Sequence, residues 1–412
     1  IKKRIRENGK DEEILLVECG GTVGDIESQP FLEAFRQMGL EEGEENVFFI
    51  HLTLAPVLKP SYEIKTKPTQ HSVQELRKIG IQPDMVVVRA EIPLTEDTKR
   101  KISLFTNVPT EAVISNADTS NVYRLPLMLY EEGILGPIVR KLGLGDLKPD
   151  LEKWRSIVEK MENAKKVVKI AMVGKYTRLV DSYVSLNHAI IHAGAHTEIR
   201  PEITWVDSET IERNGPGKLD EFDAIIIPGG FGRRGSEGKV ITADYTRRKG
   251  IPFFGICFGF QLSVVSFARN VLGLKGANST EIDPNTPYPV IDLLPEQRGI
   301  KEMGATMRLG AHEVHIKKGT TAWRIYGSEV IRRRHRHRYE VNPEFKDRFE
   351  KAGMIFSGNS DEGRRQEILE LPSHPFYMAT QYHPEFSSRL ESPEPIFVNL
   401  LLAADRVKNH HE

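Results

Sequence analysis

Three short apolar runs in the second half of the chain each end in a turn of small or reactive residues. Residues 225–227 precede the turn PGG, residues 252–256 precede CFG, and residues 376–380 precede QYHPE. Short apolar runs bounded by such turns predict strands buried in a sheet. Ligands of open α/β sheets bind beyond the carboxyl ends of the strands, so these turns are expected to converge on one site.

The first half of the chain shows the same alternation of predicted strands and helices. Strands are predicted at residues 13–17, 47–54, 85–88 and 113–115, and a helix at 70–79. A polar stretch over residues 149–164 leads to a new apolar strand at 165–172. This pattern predicts an α/β chain of two doubly wound domains with mainly parallel sheets. We expect a first domain at residues 1–150, a linker helix at 151–165 and a second domain at 166–412.

Composition argues against several classes of function. The formal net charge of −1 gives the chain no overall field that would attract nucleic acid or an anionic membrane. The sequence contains no run of about 18 apolar residues, so no membrane span is predicted. No basic and apolar leader opens the chain, so the expected location is the cytoplasm. The two cysteines, Cys19 and Cys257, cannot form a disulfide framework.

The pentapeptide from Gly255 to Gly259 has the form of a nucleophile elbow with cysteine in place of serine. Glycines suit a sharp strand-to-helix turn because such a turn leaves no room for β-carbons. Cys257 would then lie at the start of a helix predicted over residues 260–270, where unpaired N–H groups favour the thiolate. The alternative interpretation is a buried cysteine that packs beside glycines.

Two further motifs supply what a cysteine nucleophile needs. The HPE motif offers His383 as a base and Glu385 as the acidic group that orients it. The turn PGGFG, with Gly230 at its centre, can direct backbone N–H groups at one point, as an oxyanion hole requires. Each motif by itself is more often structural than catalytic. Their presence in one chain with Cys257 favours catalysis.

Together the three motifs resemble those of the class I glutamine amidotransferases, over residues 165–409. The resemblance implies that Cys257 attacks the side-chain amide of glutamine, that His383 protonates the leaving ammonia, and that Glu385 orients His383. Water then hydrolyses a glutamyl thioester. Gly230 and the amide after Cys257 would hold the tetrahedral oxyanion.

The same resemblance implies a set of glutamine-binding residues. At Phe258 and Phe260 the family usually has leucine and methionine, so the packing of the pocket is expected to differ slightly. Arg338 matches the residue that holds the α-carboxylate, although Arg334 and Arg336 leave the register open. The full set implied for glutamine is Gly230, Phe258, Gly259, Phe260, Gln261, Glu281 and Arg338.

Longer strings resemble the CTP synthase family. They are VECGGTVGDIES (17–28), KTKPTQHS (65–72), KISLFTNV (101–108), ANSTEID (277–283), GATMRLG (304–310) and RRRHRHRYEVN (332–342). The resemblance implies an ATP-dependent ligase that aminates UTP to CTP with glutamine as nitrogen donor. It also implies Mg²⁺, allosteric GTP and a homotetramer. Small molecules would be its partners, with neither nucleic acid nor membrane among them, although RRRHRHR by composition suggests a nucleic-acid patch.

The resemblance also assigns nucleotide sites. UTP, or CTP as inhibitor, is assigned to Asp25, Ile26, Glu27, Lys65, Thr66, Lys67, Pro68, Thr69, Gln70 and Lys101. ATP is assigned to Arg89, Asp118 and Thr119, the metal to Glu18, and GTP or a lid loop to Arg234. Lysines suit a triphosphate, and a carboxylate at the end of a strand suits Mg²⁺. The alternatives are a solvated loop for KTKPTQ and an exposed loop for Arg234.

One motif of the family is missing from the sequence. A P-loop needs Gly, four residues, then Gly-Lys-Ser/Thr. None of the Gly-Lys pairs of the chain, Gly174-Lys175 included, has both the upstream glycine and the following hydroxyl residue. Phosphoryl transfer depends on positioning and metal electrostatics. We therefore expect a synthetase domain that lacks its N-terminal P-loop segment, in a chain that hydrolyses glutamine weakly and makes no CTP.

Two other functions remain open on the sequence. The chain could belong to another amidotransferase, such as a relative of GMP synthetase, although KTKPTQHS and GGTVGDIES argue against this. It could also be a non-catalytic module that senses nucleotides or forms filaments. A Cys257 that does not react with a glutamine-analogue alkylator would favour this last interpretation.

Overall fold

The computed structural model describes residues 1–175, 183–293 and 307–411. Residues 304–306 of the string GATMRLG lie outside the described residues. By its internal contacts the chain divides into two compact units, Ile1–Arg155 and Ser156–Glu412. The division falls inside the helix Glu152–Asn163, within the segment 151–165 that the sequence marks as a linker.

The elements of the first unit alternate between strands and helices. Its strands are β1 Ile50–Leu54, β2 Val57–Leu58, β3 Glu63–Ile64, β4 Met85–Ala90 and β5 Val113–Ala117. Its helices are α1 Lys2–Gly9, α2 Gln29–Glu41, α3 Lys67–Lys78, α4 Glu96–Thr106, α5 Leu125–Glu131 and α6 Leu135–Leu142, followed by α7 Glu152–Asn163. Short 3₁₀ helices lie at Glu44–Asn46, Thr110–Ala112 and Val122–Arg124.

A parallel sheet in the order β1-β4-β5 carries the core of the first unit. The central strand β4 buries Met85, Val86 and Val88 almost completely, because it has a neighbour on each side and helices α3 and α4 pack nearby. The predicted strands at 85–88 and 113–115 are confirmed in place, and the strand predicted at 47–54 is confirmed from Ile50 onward. Helix α3 begins at Lys67, before the predicted 70–79, because Pro68 suits the first turn of a helix.

The predicted strand at residues 13–17 is wrong. This segment is irregular, and Leu16 is 90% exposed. An apolar run is stable as a strand only where its backbone groups pair with a neighbour and its side chains are covered. Among the described residues the segment 13–17 has no strand partner, so Glu18 does not end a strand.

The second unit has more strands. They are β6 Lys166–Gly174, β7 Ile199–Asp207, β8 Ala224–Ile227, β9 Phe253–Ile256, β10 Asn278–Ser279, β11 Pro289–Leu293, β12 Arg308–Ile316, β13 Val330–His337, β14 Tyr339–Val341, β15 Ile355–Ser360, β16 Arg365–Glu370 and β17 Tyr377–Thr380. The helices are α8 Val184–Thr197, α9 Ser208–Asn214, α10 Ser236–Lys249, α11 Phe258–Asn270, α12 Thr321–Tyr326, α13 Lys346–Lys351 and α14 Pro395–His411. Short 3₁₀ helices lie at Gly217–Glu221, Pro343–Phe345, Asp361–Gly363 and Pro384–Ser387.

Within the described residues, the main sheet of the second unit has the order β13-β12-β15-β16-β17-β9-β8-β6-β7. The strands from β17 to β7 run parallel, whereas those from β13 to β16 add an antiparallel extension. The predicted strands at 165–172, 225–227, 252–256 and 376–380 correspond to β6, β8, β9 and β17. They are confirmed, and the antiparallel extension is an addition to the predicted parallel sheet.

Alternating side chains of the parallel strands pack into two hydrophobic cores, one on each face of the sheet. In β6, Ala171 and Val173 belong to the core that α10 and α11 cover, while Ile170 and Met172 belong to the core that α8 and α14 cover. Helices on both faces confirm the doubly wound prediction for this unit. In the part of the chain that the structure describes, no helix is long and apolar enough to span a membrane.

Candidate active site

The turns after β8, β9 and β17 lie side by side at one edge of the second unit's sheet. Strand β9 pairs in parallel with β8 on one side and with β17 on the other. Parallel strands end at the same edge, so Gly230 after β8, Cys257 after β9 and His383 after β17 meet there.

Cys257 lies on a strained turn between β9 and α11. Its backbone has φ 51° and ψ −98°, a region that residues with a β-carbon rarely adopt. Its amide donates a hydrogen bond to the carbonyl of Thr380 at 2.7 Å, and only 4% of the residue is exposed. Helix α11 begins directly after it at Phe258, so the sulfur lies at the N-terminal end of that helix.

The elbow glycines are required because strand and helix approach very closely. A β-carbon on Gly259 would lie 2.2 Å from the carbonyl oxygen of Ile227, far inside van der Waals contact. A β-carbon on Gly255 would lie 2.9 Å from the carbonyl group of Gly259. Both positions therefore exclude side chains, which is the steric reason for glycine in this motif.

His383 and Glu385 form a buried ion pair beside the cysteine. Nδ1 of His383 lies 2.7 Å from Oε1 of Glu385, and the two side chains are only 14% and 10% exposed. The amide of His383 donates to the carbonyl of Arg334 at 2.9 Å, which ties this turn to β13. Burial by itself would lower the pKa of His383, but Glu385 and Cys257 together raise this pKa well above its ordinary value. The imidazole is thereby held as a proton donor next to the sulfur.

We expect the substitution Glu385→Gln to lower the pKa of His383, because it removes the charge that favours the imidazolium. Glutamine hydrolysis should slow by about 10² to 10⁴-fold, as the imidazole loses its orienting partner. NMR titration of the His383 ring, identified by its loss in His383→Asn, measures the pKa. Replacement of the exposed Glu391 by glutamine is the control. An unchanged pKa in Glu385→Gln would contradict the assigned pairing.

The glycine turn after β8 passes directly beside the reactive pair. A β-carbon on Gly229 would lie 2.9 Å from Cε1 of His383 and 3.7 Å from Cβ of Cys257. The amide of Gly232 donates to Oε1 of Glu281 at 2.7 Å, which fixes the far end of the turn. The turn is thus held beside the cysteine and the imidazole.

Three polar side chains beside the elbow have the chemistry to hold an amino acid. Oε1 of Gln261 and Nε of Arg338 are buried without hydrogen-bond partners among the described residues. Burial raises the pKa of the nearby Glu281, while the Gly232 N–H and the charges of Lys175 and Arg338 oppose this rise. An acceptor, a carboxylate and a guanidinium match the α-ammonium and α-carboxylate of a free amino acid.

The position of Arg338 separates it from Arg334 and Arg336. Along β13 the side chains alternate, so that Arg334 and Arg336 are exposed on one face and His335 and His337 are buried on the other. Arg338 follows the strand and is half-buried close enough to Glu281 for their charges to interact. The geometry therefore favours Arg338 over its neighbours as the carboxylate-binding arginine.

Three further polar residues at this site were missed by the sequence analysis. Nε2 of Gln381 lies 3.7 Å from Sγ of Cys257, and Nζ of Lys175 donates to the carbonyl of Phe231. Lys239 is fully buried close to Gly230. Gln381 could have been found, because it directly follows β17 within QYHPE. Lys239 gives no such signal, since a lysine in a helix is ordinarily exposed.

Arg234 lies in the turn between the glycine motif and α10. Its side chain is 61% exposed and its Nε lies 3.4 Å from Oε1 of Glu209. Its Nη2 donates to the carbonyl of Lys175 at 3.4 Å. Arg234 therefore links the glycine turn to the end of β6, and a role in GTP binding or as a lid stays a prediction.

In the first unit, the KTKPTQ string forms the N-terminal end of helix α3. Thr66 is the N-terminal capping residue, and Lys67 and Pro68 belong to the first turn. Thr69 and Gln70 are buried beneath them. The string is therefore a helix start and not the solvated loop that was the alternative, and an N-terminal helical turn suits a phosphate.

Lys65 and Lys101 lie near this helix start. The hydrogen bond and charge of Lys65, with a smaller contribution from Lys101, lower the pKa of the exposed Glu63. Nζ of Lys67 lies 5.8 Å from the ring centre of Phe105 on α4, the helix that carries Lys101. The structure thus groups the three lysines predicted for UTP.

The residues predicted for ATP lie at the carboxyl edge of the first unit's sheet. Arg89 at the end of β4 pairs with Asp118 after β5, with Nε and Oδ1 3.0 Å apart. Thr119 follows, and its hydroxyl accepts a hydrogen bond from the amide of Asn121 at 3.2 Å. This edge is where nucleotides bind in doubly wound folds.

The structure does not group the remaining predicted residues with these sets. Asp25, Ile26 and Glu27 lie on an exposed turn, and Glu18 is exposed on an irregular segment. Among the described residues, Asp25 and Glu27 form no ion pair with the lysine cluster, and no group of three metal-binding side chains is present. Mg²⁺ usually takes one or two carboxylates together with phosphate oxygens, so Glu18 stays a predicted ligand that no second carboxylate supports within the described ranges.

Comparison with known families matches both units. The family model described as CTP synthase N-terminus matches residues 1–144, and that described as glutamine amidotransferase class-I matches residues 178–403. A CTP synthase of Thermococcus gammatolerans is 58% identical over 405 residues, which cover 98% of this chain and 76% of the relative. One of Pyrococcus abyssi is 56% identical over 413 residues, or 100% of this chain and 77% of the relative.

A solved structure is similar to the second unit. It is the glutaminase domain of a Trypanosoma brucei CTP synthase with bound acivicin. The identity is 37%, the TM-score is 0.55, and the alignment covers 58% of this chain and 94% of that one.

Proposed function

Because the chain belongs to the CTP synthase family, we propose that its second unit hydrolyses glutamine at Cys257 to supply ammonia for the amination of UTP. The observation that carries this proposal is the strained cysteine beside a buried imidazole–carboxylate pair. The family excludes the alternative of a GMP synthetase relative. We also propose a synthetase domain at residues 1–150, a linker helix at 151–165 and a glutamine amidotransferase domain at 166–412.

In the first half of the reaction, the thiolate of Cys257 attacks the side-chain carbonyl carbon of glutamine. The carbonyl oxygen becomes an oxyanion, which the N–H groups of Gly230 and Phe258 hold. The tetrahedral intermediate then collapses, the carbon–nitrogen bond breaks, and His383 gives its proton to the leaving nitrogen. The products of this half are ammonia and a glutamyl thioester.

In the second half, water attacks the thioester while His383 takes the water's proton. The carbon–sulfur bond breaks, glutamate leaves, and the thiolate of Cys257 is restored. Glu385 keeps the imidazole oriented and stabilises its charged form throughout.

The substrate's amino-acid end is proposed to bind the unpaired polar groups beside the elbow. Arg338 would hold the α-carboxylate, while Gln261 and Glu281 would hold the α-ammonium. Phe258, Gly259 and Phe260, the first residues of α11, would form the floor of this pocket.

The first unit is proposed to bind the nucleotides. The lysine cluster at the start of α3 would hold UTP or CTP, and Arg89, Asp118 and Thr119 would hold ATP. In a family member that also carries the P-loop segment, ATP would phosphorylate the uracil O4 of UTP, and ammonia would displace that phosphate. Allosteric GTP at Arg234, a role for Mg²⁺, a homotetramer and a cytoplasmic location remain predictions of the family resemblance.

A protein that consists of these 412 residues should release ammonia from glutamine but make no CTP from UTP, ATP, Mg²⁺ and ammonium. The reason is that these residues contain no P-loop to cradle the triphosphate. Glutamate formation is measured with glutamate dehydrogenase, and CTP by chromatography. The longer CTP synthase of Pyrococcus abyssi is the control for the assay.

CTP formation tests the synthetase step, and glutamate formation tests the glutaminase. CTP formation by this chain would contradict the proposed loss of the synthetase step. Absence of glutamate formation, with Cys257 intact by mass spectrometry, would contradict the proposed glutaminase.

A further inference from the structure

Lys239, in the first turns of α10, is a fully buried lysine with an unpaired side chain. Its relative exposure is 0%, and its Nζ has no hydrogen-bond partner among the described residues. Burial of an unpaired polar group lowers stability, and a methionine of similar shape would avoid that cost. Packing alone therefore does not explain a lysine at this position.

The amino group of Lys239 lies against the glycine turn of the candidate active site. It is 3.5 Å from the position that a β-carbon of Gly230 would take, and 5.2 Å from the ring centre of Phe258. Burial and the charge of Lys175 lower the pKa of Lys239 to about 7, while Cys257 opposes this shift. Both charge states are accessible near neutral pH, and added negative charge nearby favours the ammonium.

The turn separates Lys239 from the reactive pair. The β-carbon position of Gly229 faces His383 and Cys257, whereas that of Gly230 faces Lys239. The thiol and imidazole therefore lie on one side of the turn, and the ammonium lies on the other.

This arrangement couples Lys239 to the oxyanion hole through the peptide plane. In a trans peptide the N–H and the preceding C=O point in opposite directions. A carbonyl of Gly229 that turns toward Lys239 thus turns the N–H of Gly230 toward the thiol side. The donor capacity that Lys239 leaves unused among the described residues is available for this bond.

We propose that Lys239 is a positioning residue of the glutaminase site, whose ammonium draws the glycine-turn carbonyl toward itself and so aims the Gly230 N–H at the oxyanion. This inference rests on the proposed glutamine hydrolysis. Lys239 touches no reacting atom. Its effect should appear in kcat, because an oxyanion exists only in the transition state and intermediates.

The test compares Lys239→Met with the parent chain and with Lys249→Met, an exposed lysine at the end of the same helix. Loss of one oxyanion donor lowers kcat by about 10² to 10³-fold, and an indirect loss should reach about 10 to 100-fold. KM for glutamine should stay within about threefold. Alkylation of Cys257 by iodoacetamide needs no oxyanion hole, so any fall in its rate should be much smaller than the fall in kcat. The melting temperature should not fall, since the substitution removes an unpaired buried amine.

Each outcome decides the question. A kcat equal to that of the parent chain overturns the proposal. A variant that unfolds, or loses thermal stability and alkylation rate together, shows that Lys239 acts in packing and also overturns it. A parent chain that alkylates but hydrolyses no glutamine contradicts the proposed function itself, and the inference falls with it.

Discussion

Replacing Cys257 by alanine is expected to reduce glutamine hydrolysis by about 10⁶-fold while the fold stays intact. Loss of a nucleophile has this scale in enzymes whose catalytic groups act as a unit. The substitution removes one sulfur atom from the edge of one core, a change small enough for the fold to tolerate. Glutamate release measures the activity, and the melting temperature measures the integrity of the fold.

The chain contains its own control for this experiment. Cys19 is the other cysteine of the sequence, is free and partly exposed, and lies in the first unit. Cys19→Ala should keep full glutaminase activity and full incorporation of a glutamine-analogue alkylator. Equal glutaminase activity in both variants would contradict Cys257 as the nucleophile. A Cys257 that incorporates no glutamine-analogue alkylator would favour the non-catalytic nucleotide-sensing module over the proposed enzyme.

Substitution of Gly259 by alanine should lower the free energy of unfolding by about 2 to 4 kcal/mol, despite the higher helix propensity of alanine. The new β-carbon would lie 2.2 Å from the carbonyl oxygen of Ile227, so helix α11 and strand β8 would have to move apart. This should lower the melting temperature of the second unit by about 5 to 15 °C. It should also reduce glutaminase activity, because the start of α11 holds Cys257.

Gly217→Ala is the matched control for this steric prediction. Gly217 lies in the same unit with no atom within 4 Å of its β-carbon position and no positive φ. Its replacement should change the free energy of unfolding by no more than about 0.5 kcal/mol. Equal melting temperatures for the two variants would mean that α11 and β8 are less closely packed than the structure describes.

The parallel part of the second unit could be predicted because local and long-range signals agree there. Each of β8, β9 and β17 is apolar, short and followed by a turn, and each is buried between two helical layers. The antiparallel extension lacked this signal. In β13, arginines and histidines alternate at period two. Because both residue types are polar, the sequence does not show that His335 and His337 are buried.

The failure at residues 13–17 has a different physical cause. An apolar run indicates that burial of its side chains is favourable. It does not indicate which neighbouring element covers them. In the described residues, Ile14, Leu16 and Val17 remain 53%, 90% and 48% exposed. Sequence periodicity alone could not show that no strand pairs with this segment.

The site could be predicted only where the functional residues lie next to one another in the sequence. The cysteine elbow and the HPE turn are local motifs, and so is the glycine pair. Lys239 acts through its place in three dimensions, and its burial follows from the packing of α10 on α11 rather than from any local pattern. The choice among Arg334, Arg336 and Arg338 likewise depends on which side of β13 each one occupies.

The positive φ of Cys257 has a consequence for protein engineering. A cysteine in this conformation carries backbone strain of about 1 to 3 kcal/mol, which a glycine at the same position would not. Selection of variants for thermostability alone would therefore tend to erase the nucleophile. The elbow is a point of trade-off between stability and activity, and screens on this chain should select for both properties at once.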